Sequence, residues 1–246
     1  NITERKRTEE EREKLLKELE AKSTELERFA YTVSHDLRSP LVTIQGFTDM
    51  VQTDLEQNEP ERAKENLTFI EKAAITMDQL LSATLQLSRI GRIANPPEDV
   101  PFGEIVREAL EQTAGEIASR HIKVSVAEDF PTVHVDRMRI EELLVNLIGN
   151  SIKYRGDQPS SKIDIGYRVD SESEETVFFV RDNGIGIDKS QHEKVFDLFY
   201  TGDRSGKSTG AGLAIVKRIV EVHGGRVWIE SEKGTGCTVC FTLPVV

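Results

Sequence analysis

The stretch FAYTVSHDLRSPLVTIQGF, Phe29 to Phe47, is the segment from which the rest of the chain can be read. At 100° per residue with Val33 at zero, Leu26, Phe29, Leu37, Leu41, Ile44 and Phe47 fall between about −40° and +80°, the apolar arc of an amphipathic helix. His35 falls at about 200°, on the opposite, wet face, so it is not a core histidine. An incidental surface histidine is the ordinary reading of such a position. Two neighbours weigh against it. Asp36 can orient the imidazole or accept its proton, and a neutral imidazole nitrogen is a good nucleophile near neutral pH. Pro40 removes the helix hydrogen bond to the carbonyl of Asp36 at a cost of about 3 kcal/mol, a feature explained equally by bundle geometry or by a hinge.

Upstream, residues 1–28 are charged and free of glycine and proline. Leu15, Leu19, Leu26, Phe29 and Val33 recur at coiled-coil spacings, with Lys22 in one inner position. Such a segment is a solvated helix or a parallel connector entering a dimer, and continuation of the seam past Phe29 favours the connector. Downstream, the pattern predicts a second helix from about Glu59 to Ile90, with Leu67, Ile70, Ala74, Met77, Leu81 and Leu87 on one face. The intervening QTDLEQNEPER is short and polar, so the two helices fold back as an antiparallel hairpin. A lone hairpin cannot enclose its own apolar stripe, and two copies make a four-helix bundle; a homodimer is expected.

The chain has 246 residues, 37% hydrophobic and 30% charged, with a net charge of −11. That charge argues against a nucleic-acid partner, whose phosphates need a positive surface. No apolar run approaches the roughly 18 residues that span a bilayer, and no signal peptide opens the chain. The two cysteines lie in GCTVCFTLP, a strand-like segment that points them to opposite faces. Reduced thiols suggest a cytoplasmic location.

The segment RIANPPEDVPFG breaks the helical pattern and opens a new one. FGEIVREALEQTAGEIASR and RMRIEELLVNLIGNSIKY read as helices, and GAGLAIVKRIVEVHGG as a third, ended by a glycine pair. KVSVAED, KIDIGYRV, TVFFVRDNG, RVWIESE and CTVCFTLP read as strands. The expected fold class is α+β: a coiled coil and helical hairpin followed by an α/β sandwich of about 150 residues.

GDRSGKST imitates a phosphate-binding P-loop, but only three residues separate Gly202 from Gly206, and the helical-looking QHEKVFDLFY precedes it instead of a strand. GAGLAI lacks the last glycine of a dinucleotide fingerprint. The stronger signal is an ordered set of pieces. EELLVNLIGNSIKY places Asn146, Asn150, Lys153 and Tyr154 on one helix face: amide oxygens for a hard cation, a lysine for phosphate, an aromatic wall. RDNGIGID sets Asp182 before two glycines, suiting a carboxylate that accepts from a purine amino group. DLFYTGDRSGKSTGAGLAIVK is a polar loop opening a helix, whose N–H groups suit phosphates, with Arg204 and Lys207 as charge partners. KGTGCTVCFTLP adds two glycines and a strand. Each piece alone is weak, since surface amides and turn glycines are common.

Together they resemble the sensor histidine kinases of two-component signalling over about residues 25–246, with five boxes in family order. SHDLRSPL is similar to the H box, which implies His35 as phosphoacceptor and Asp36 as the acidic residue assisting as base. NLIGNSIKY resembles the N box, which implies Mg²⁺ at Asn150, with Asn146, Lys153 and Tyr154 around the nucleotide. DNGIGI resembles the first glycine box, which implies Asp182 on adenine with Gly184 and Gly186 beside it. VFDLFY resembles the F box, and STGAGLAIVK the second glycine box under an ATP lid, which implies Gly210, Gly212 and Leu213 at the nucleotide. Two departures stand out: Ser208 and Ala211 replace a usual glycine and a larger aliphatic, and Ser39 replaces the threonine or asparagine that often positions water for phosphatase activity.

The resemblance implies ATP-dependent autophosphorylation of His35, with ATP and Mg²⁺ as cofactors and a response-regulator receiver domain as partner, dephosphorylation being the weaker expectation. It implies a signalling helix at 1–24, a dimerisation and phosphotransfer domain at 25–94 and a catalytic ATP-binding domain at 95–246. NITERKR resembles the end of a PAS sensor, so an upstream sensor, and any membrane attachment through it, is expected. The rival readings are an ATPase of the same sandwich family acting on water and a non-catalytic dimeric scaffold. The histidine-bearing hairpin speaks against the first, and Asn150 and Asp182 against the second.

Overall fold

The computed structural model describes residues 2–90, 95–158, 160–171, 174–200 and 210–246, with side chains at 9, 12–17, 19, 20, 23, 24, 27 and from 29 onward within those ranges. The side chains of Lys22 and Leu26 of the expected seam, and the whole of Arg204, Lys207 and Ser208 of the expected lid, therefore lie outside the described residues. The chain divides into two compact units, Asn1–Ser82 and Ala83–Val246.

In the first unit, helix α1 runs without a break from Ile2 to Glu56, with Pro40 inside it. The helix is longer than the polar linker suggested: residues 52–56, read as connection, are helical, because no breaker precedes Asn58. Asn58 takes φ 59°, the left-handed cap that asparagine tolerates, and Pro60 opens helix α2, Pro60–Arg89, where its missing N–H costs nothing. The two arms are tied by ring stacking of Phe47 on Phe69 at 4.6 Å and by a buried Asp54, which accepts from Nδ2 of Asn66 at 2.7 Å.

The covered side of each arm is narrower than its apolar arc. On α2, Ala63, Ala73 and Leu80 are buried, while Leu67 and Leu81, on the adjacent edge, stay 51% and 45% exposed. On α1, Pro40 is buried, whereas Leu41 and Leu55, at about +80° and +40° on the same wheel, are exposed. One partner helix covers only part of each stripe.

The second unit contains strand β1 (Glu98–Pro101), helix α3 (Phe102–Ser119), strands β2 (Lys123–Val126) and β3 (Thr132–Val135), helix α4 (Arg137–Lys153), strands β4 (Lys162–Val169) and β5 (Thr176–Asp182), helix α5 (Gly212–Val222), and strands β6 (Val227–Glu232) and β7 (Gly236–Thr242). Five strands form a sheet in the order β2-β4-β5-β7-β6, antiparallel except for β2 beside β4. Pleating sends Ile165, Phe178, Val180, Val239 and Phe241 to one face, where they share a core with Ile105, Leu144, Leu147, Ile148, Ile215 and Ile219 of the helices. Cys237 and Cys240 point to opposite faces of the sheet and are free thiols, as their spacing predicts.

Three local expectations change. β1 and β3 pair antiparallel as a separate two-stranded ribbon, unforeseen because each is four residues long and borders a proline. The helical-looking segment before the lid is two single 3₁₀ turns, Lys189–Gln191 and Lys194–Phe196; Phe199 at φ 65° cannot continue a helix. α5 begins at Gly212, two residues later than read, and ends as expected before Gly224, at φ 75°.

The start of α4 is a polar junction. Asp136 caps it by accepting from the Arg139 N–H at 3.3 Å, and its carboxylate also takes the backbone N–H of Asn95 at 2.9 Å. The backbone N–H of Asp136 donates to Nε2 of His223 at 3.0 Å, while Nδ1 of that ring faces the Ile219 carbonyl at 2.7 Å. The ring is thereby the neutral, Nδ1-protonated tautomer.

Candidate functional site: a carboxylate-floored cleft and an exposed histidine

A cleft of about 280 Å³ opens in the second unit between α4, the turn after β5, and the start of α5, near the lower end of sizes for small-molecule sites. Its floor is built around Asp182. Oδ1 accepts from the backbone N–H of Gly184 at 2.9 Å and of Cys237 at 3.2 Å, and Oδ2 accepts from the Ser151 hydroxyl at 3.0 Å. Burial pushes the Asp182 carboxyl above the ordinary carboxylate range, and these three bonds pull against it without cancelling it. Beside it, burial and the Asp182 charge push the Cys237 thiol up to about 12, so it is a neutral wall at physiological pH.

The four-residue spacing on α4 turns Asn146 and Asn150 toward the first turn of α5. A Cβ added to Gly212 would lie 3.2 Å from Oδ1 of Asn146 and 3.6 Å from Nδ2 of Asn150, so a side chain there would press the Asn146 amide back by a few tenths of an ångström. Asn146 donates through Nδ2 to the Glu142 carbonyl at 2.8 Å, which leaves its oxygen toward Gly212. The Asn150 amide lines the cleft and has no hydrogen-bond partner among the described residues. Among those residues no cluster of three histidine, cysteine or carboxylate side chains can hold a metal ion. A cation here would rest on amide oxygen and on ligand phosphates, which suits a small hard ion and fits the donors present.

Tyr154 lines the cleft, with the Lys153 ammonium 5.4 Å from its ring centre. Gly186, at φ 66°, packs against the carbonyl of Glu232, and this seats the β6–β7 turn, with Lys233, at the cleft wall. Gly210, Gly212 and Leu213 line the opposite side. Ser151, Cys237 and Lys233 escaped the sequence reading, because nothing in their local pattern marks them; only strand register brings Cys237 opposite Asp182.

In the first unit, His35 is 66% exposed and its Nδ1 lies 2.9 Å from Oδ1 of Asp36. Nε2 is therefore the nitrogen left to solvent. The Tyr31 ring stacks on the imidazole with centres 6.3 Å apart and planes 23° apart. Ser39 is exposed one turn further on, its carbonyl accepting from the Thr43 hydroxyl at 3.2 Å. Among the described residues no helix is long and apolar enough to cross a membrane.

Residues 25–93 match the family model of the His Kinase A (phospho-acceptor) domain, and residues 135–246 match that of the Histidine kinase-, DNA gyrase B-, and HSP90-like ATPase. The methanogenesis regulatory histidine kinase FilI of Methanothrix harundinacea is 60% identical over 227 residues, which is 92% of this chain and 25% of FilI. Cyanobacterial phytochrome B of Nostoc is 38% identical over 92% of this chain and 30% of its own length. Among solved structures, full-length ShkA in complex with AMPPNP aligns at a TM-score of 0.58 and 25% identity, covering 89% of this chain and 46% of that one. The chain thus spans about a quarter to a third of the length of these curated relatives.

Proposed function

Because this chain belongs to the sensor histidine kinases of two-component signalling, we propose that it transfers the γ-phosphoryl group of ATP to Nε2 of His35 and then to an aspartate of a response-regulator receiver domain. The observation that carries this reading is the imidazole of His35, exposed and held through Nδ1 by Asp36, in a chain that also carries the Asp182 cleft.

In the first step the Nε2 lone pair forms the N–P bond, the bond to the β-phosphate oxygen breaks, and ADP leaves. The ring gains positive charge at Nδ1–H, and the Asp36 carboxylate opposite stabilises it or takes the proton. Asp182 accepts the adenine amino group, and Tyr154, Gly184, Gly186 and Leu213 shape the base pocket. The first turn of α5, from Gly212, offers N–H groups to phosphate, with Gly210 before it; Asn146 and Lys153 serve the phosphate side, and Arg204 and Lys207, outside the described residues, are proposed as its charge partners. Asn150 and the ligand phosphates would hold Mg²⁺, which would supply charge neutralisation on the transferring group. In the second step the N–P bond breaks as an acyl phosphate forms on the receiver domain. Ser39 supports at most a minor hydrolysis of phosphohistidine.

The exposed apolar edges of α1 and α2 support a homodimer, in which two hairpins form one four-helix bundle. The proposed division is a signalling helix at 1–24, a phosphotransfer domain at 25–94 and a catalytic domain at 95–246, acting in the cytoplasm where ATP is available.

The test is incubation with γ-labelled ATP and Mg²⁺. Acid-labile label is expected on the wild-type chain and absent from His35→Gln. Label that persists in His35→Gln, or steady phosphate release without covalent label, overturns the reading.

A further inference from the structure

We propose that Tyr31 is a positioning residue for the His35 imidazole, an inference that rests on the reading of His35 as phosphoryl acceptor. Tyr31 lies four residues before His35, on the same helical face and at about 160° on the wheel, away from the apolar arc. It is 74% exposed, and its hydroxyl has no hydrogen-bond partner among the described residues. A tyrosine so placed adds nothing to the core of its unit. What it touches is the histidine ring, at a centroid separation of 6.3 Å and an interplanar angle of 23°, within the range for offset-stacked aromatic pairs.

An exposed imidazole with one hydrogen bond can still swing about that bond. Asp36 holds the Nδ1 edge at 2.9 Å, and the Tyr31 ring lies offset beside the imidazole with planes 23° apart, so the two contacts together restrict the ring plane. With the plane restricted, the Nε2 lone pair has a preferred direction, which in-line attack on phosphorus requires. The benefit also grows along the reaction. The imidazole gains positive charge as the N–P bond forms, and the electron-rich face of Tyr31 lies toward it.

The experiment compares Tyr31→Ala and Tyr31→Phe in the full chain, measuring autophosphorylation over a range of ATP concentrations, His35 ring-proton chemical shifts by NMR, and thermal midpoint. Tyr31→Ala is expected to lower kcat by about two- to twelve-fold, the range an aromatic pair supports. Its KM for ATP and thermal midpoint stay unchanged, and the ring-current shift of His35 is lost. Tyr31→Phe keeps the stacked face and is expected to restore both the rate and the shift. Equal rates in Tyr31→Ala and wild type overturn the proposal, as does a Tyr31→Phe variant as slow as Tyr31→Ala. A raised KM with His35 shifts intact also overturns it, since Tyr31 then acts on another surface. The His35→Gln control separates the two levels: label persisting there refutes the acceptor reading itself, whereas label lost there with Tyr31→Ala at full rate refutes only the role of Tyr31.

Discussion

The hydroxyl of Ser151, on α4, donates to Oδ2 of Asp182, at the end of β5, at 3.0 Å. That bond joins the helix bearing the paired asparagines to the carboxylate at the cleft floor, and two backbone N–H groups fix the other carboxylate oxygen. Asp182 is preorganised as an acceptor before any ligand arrives.

Its preorganisation carries a cost that can be measured. Burial raises the folded-state pKa of Asp182, so its contribution to stability is present below the unfolded pKa and is lost as pH rises through the folded one. Above the folded-state pKa the ionised group is therefore a burden on the fold. Asp182→Asn keeps an oxygen for Gly184 and Cys237 and an N–H for Ser151. Its thermal midpoint at pH 7 is expected to equal or exceed that of wild type. ATP affinity, read by calorimetry, falls by about ten-fold or more, as for loss of a hydrogen bond to a charged group. For the wild-type chain, affinity weakens as pH falls through the raised value, because the protonated carboxyl loses an acceptor site. A melting point well below wild type, or undiminished ATP binding, contradicts this.

Gly212 separates stability from binding in the same way. Alanine in the first turn of α5 gains about 0.5–1 kcal/mol of helix propensity, yet its methyl group would press on the Asn146 oxygen at 3.2 Å. Gly212→Ala is expected to melt no lower than wild type while binding ATP several-fold more weakly. Unaltered affinity in the presence of Mg²⁺ would show that the asparagines tolerate displacement.

The half-covered stripes of the hairpin predict the oligomeric state. Leu55 and Leu67 are 59% and 51% exposed in the single chain, and lysine at both places charges on the face proposed to meet a second copy. The double variant Leu55→Lys, Leu67→Lys is expected to sediment as a monomer with helical circular dichroism retained. Wild type is expected to sediment as a dimer. A variant that still sediments as a dimer places the interface elsewhere.

Much of this was legible along the chain because helices and strands announce themselves by local period. The seam through Val33, Leu37 and Ile44 marked α1 and set His35 outward, and the run around Leu143 and Leu147 marked α4 with its asparagines four apart. The boundaries were less legible. Residues 52–56 are polar but contain no helix breaker, and the segment 191–200 carries a helical composition that Phe199, in a left-handed conformation, interrupts.

Periodicity within single segments was enough to predict an outward histidine and a hairpin with more apolar surface than it can cover, while the nucleotide boxes were legible only through their resemblance to those of a known family. Folding in three dimensions added the company those residues keep. Cys237 meets Asp182 across 55 positions and Ser151 meets it across 31. Gly212 reaches Asn146 only because α4 and α5 pack on one face of the sheet. Such contacts depend on strand register and helix packing, which are settled by the whole core at once and leave no trace in any short window of residues.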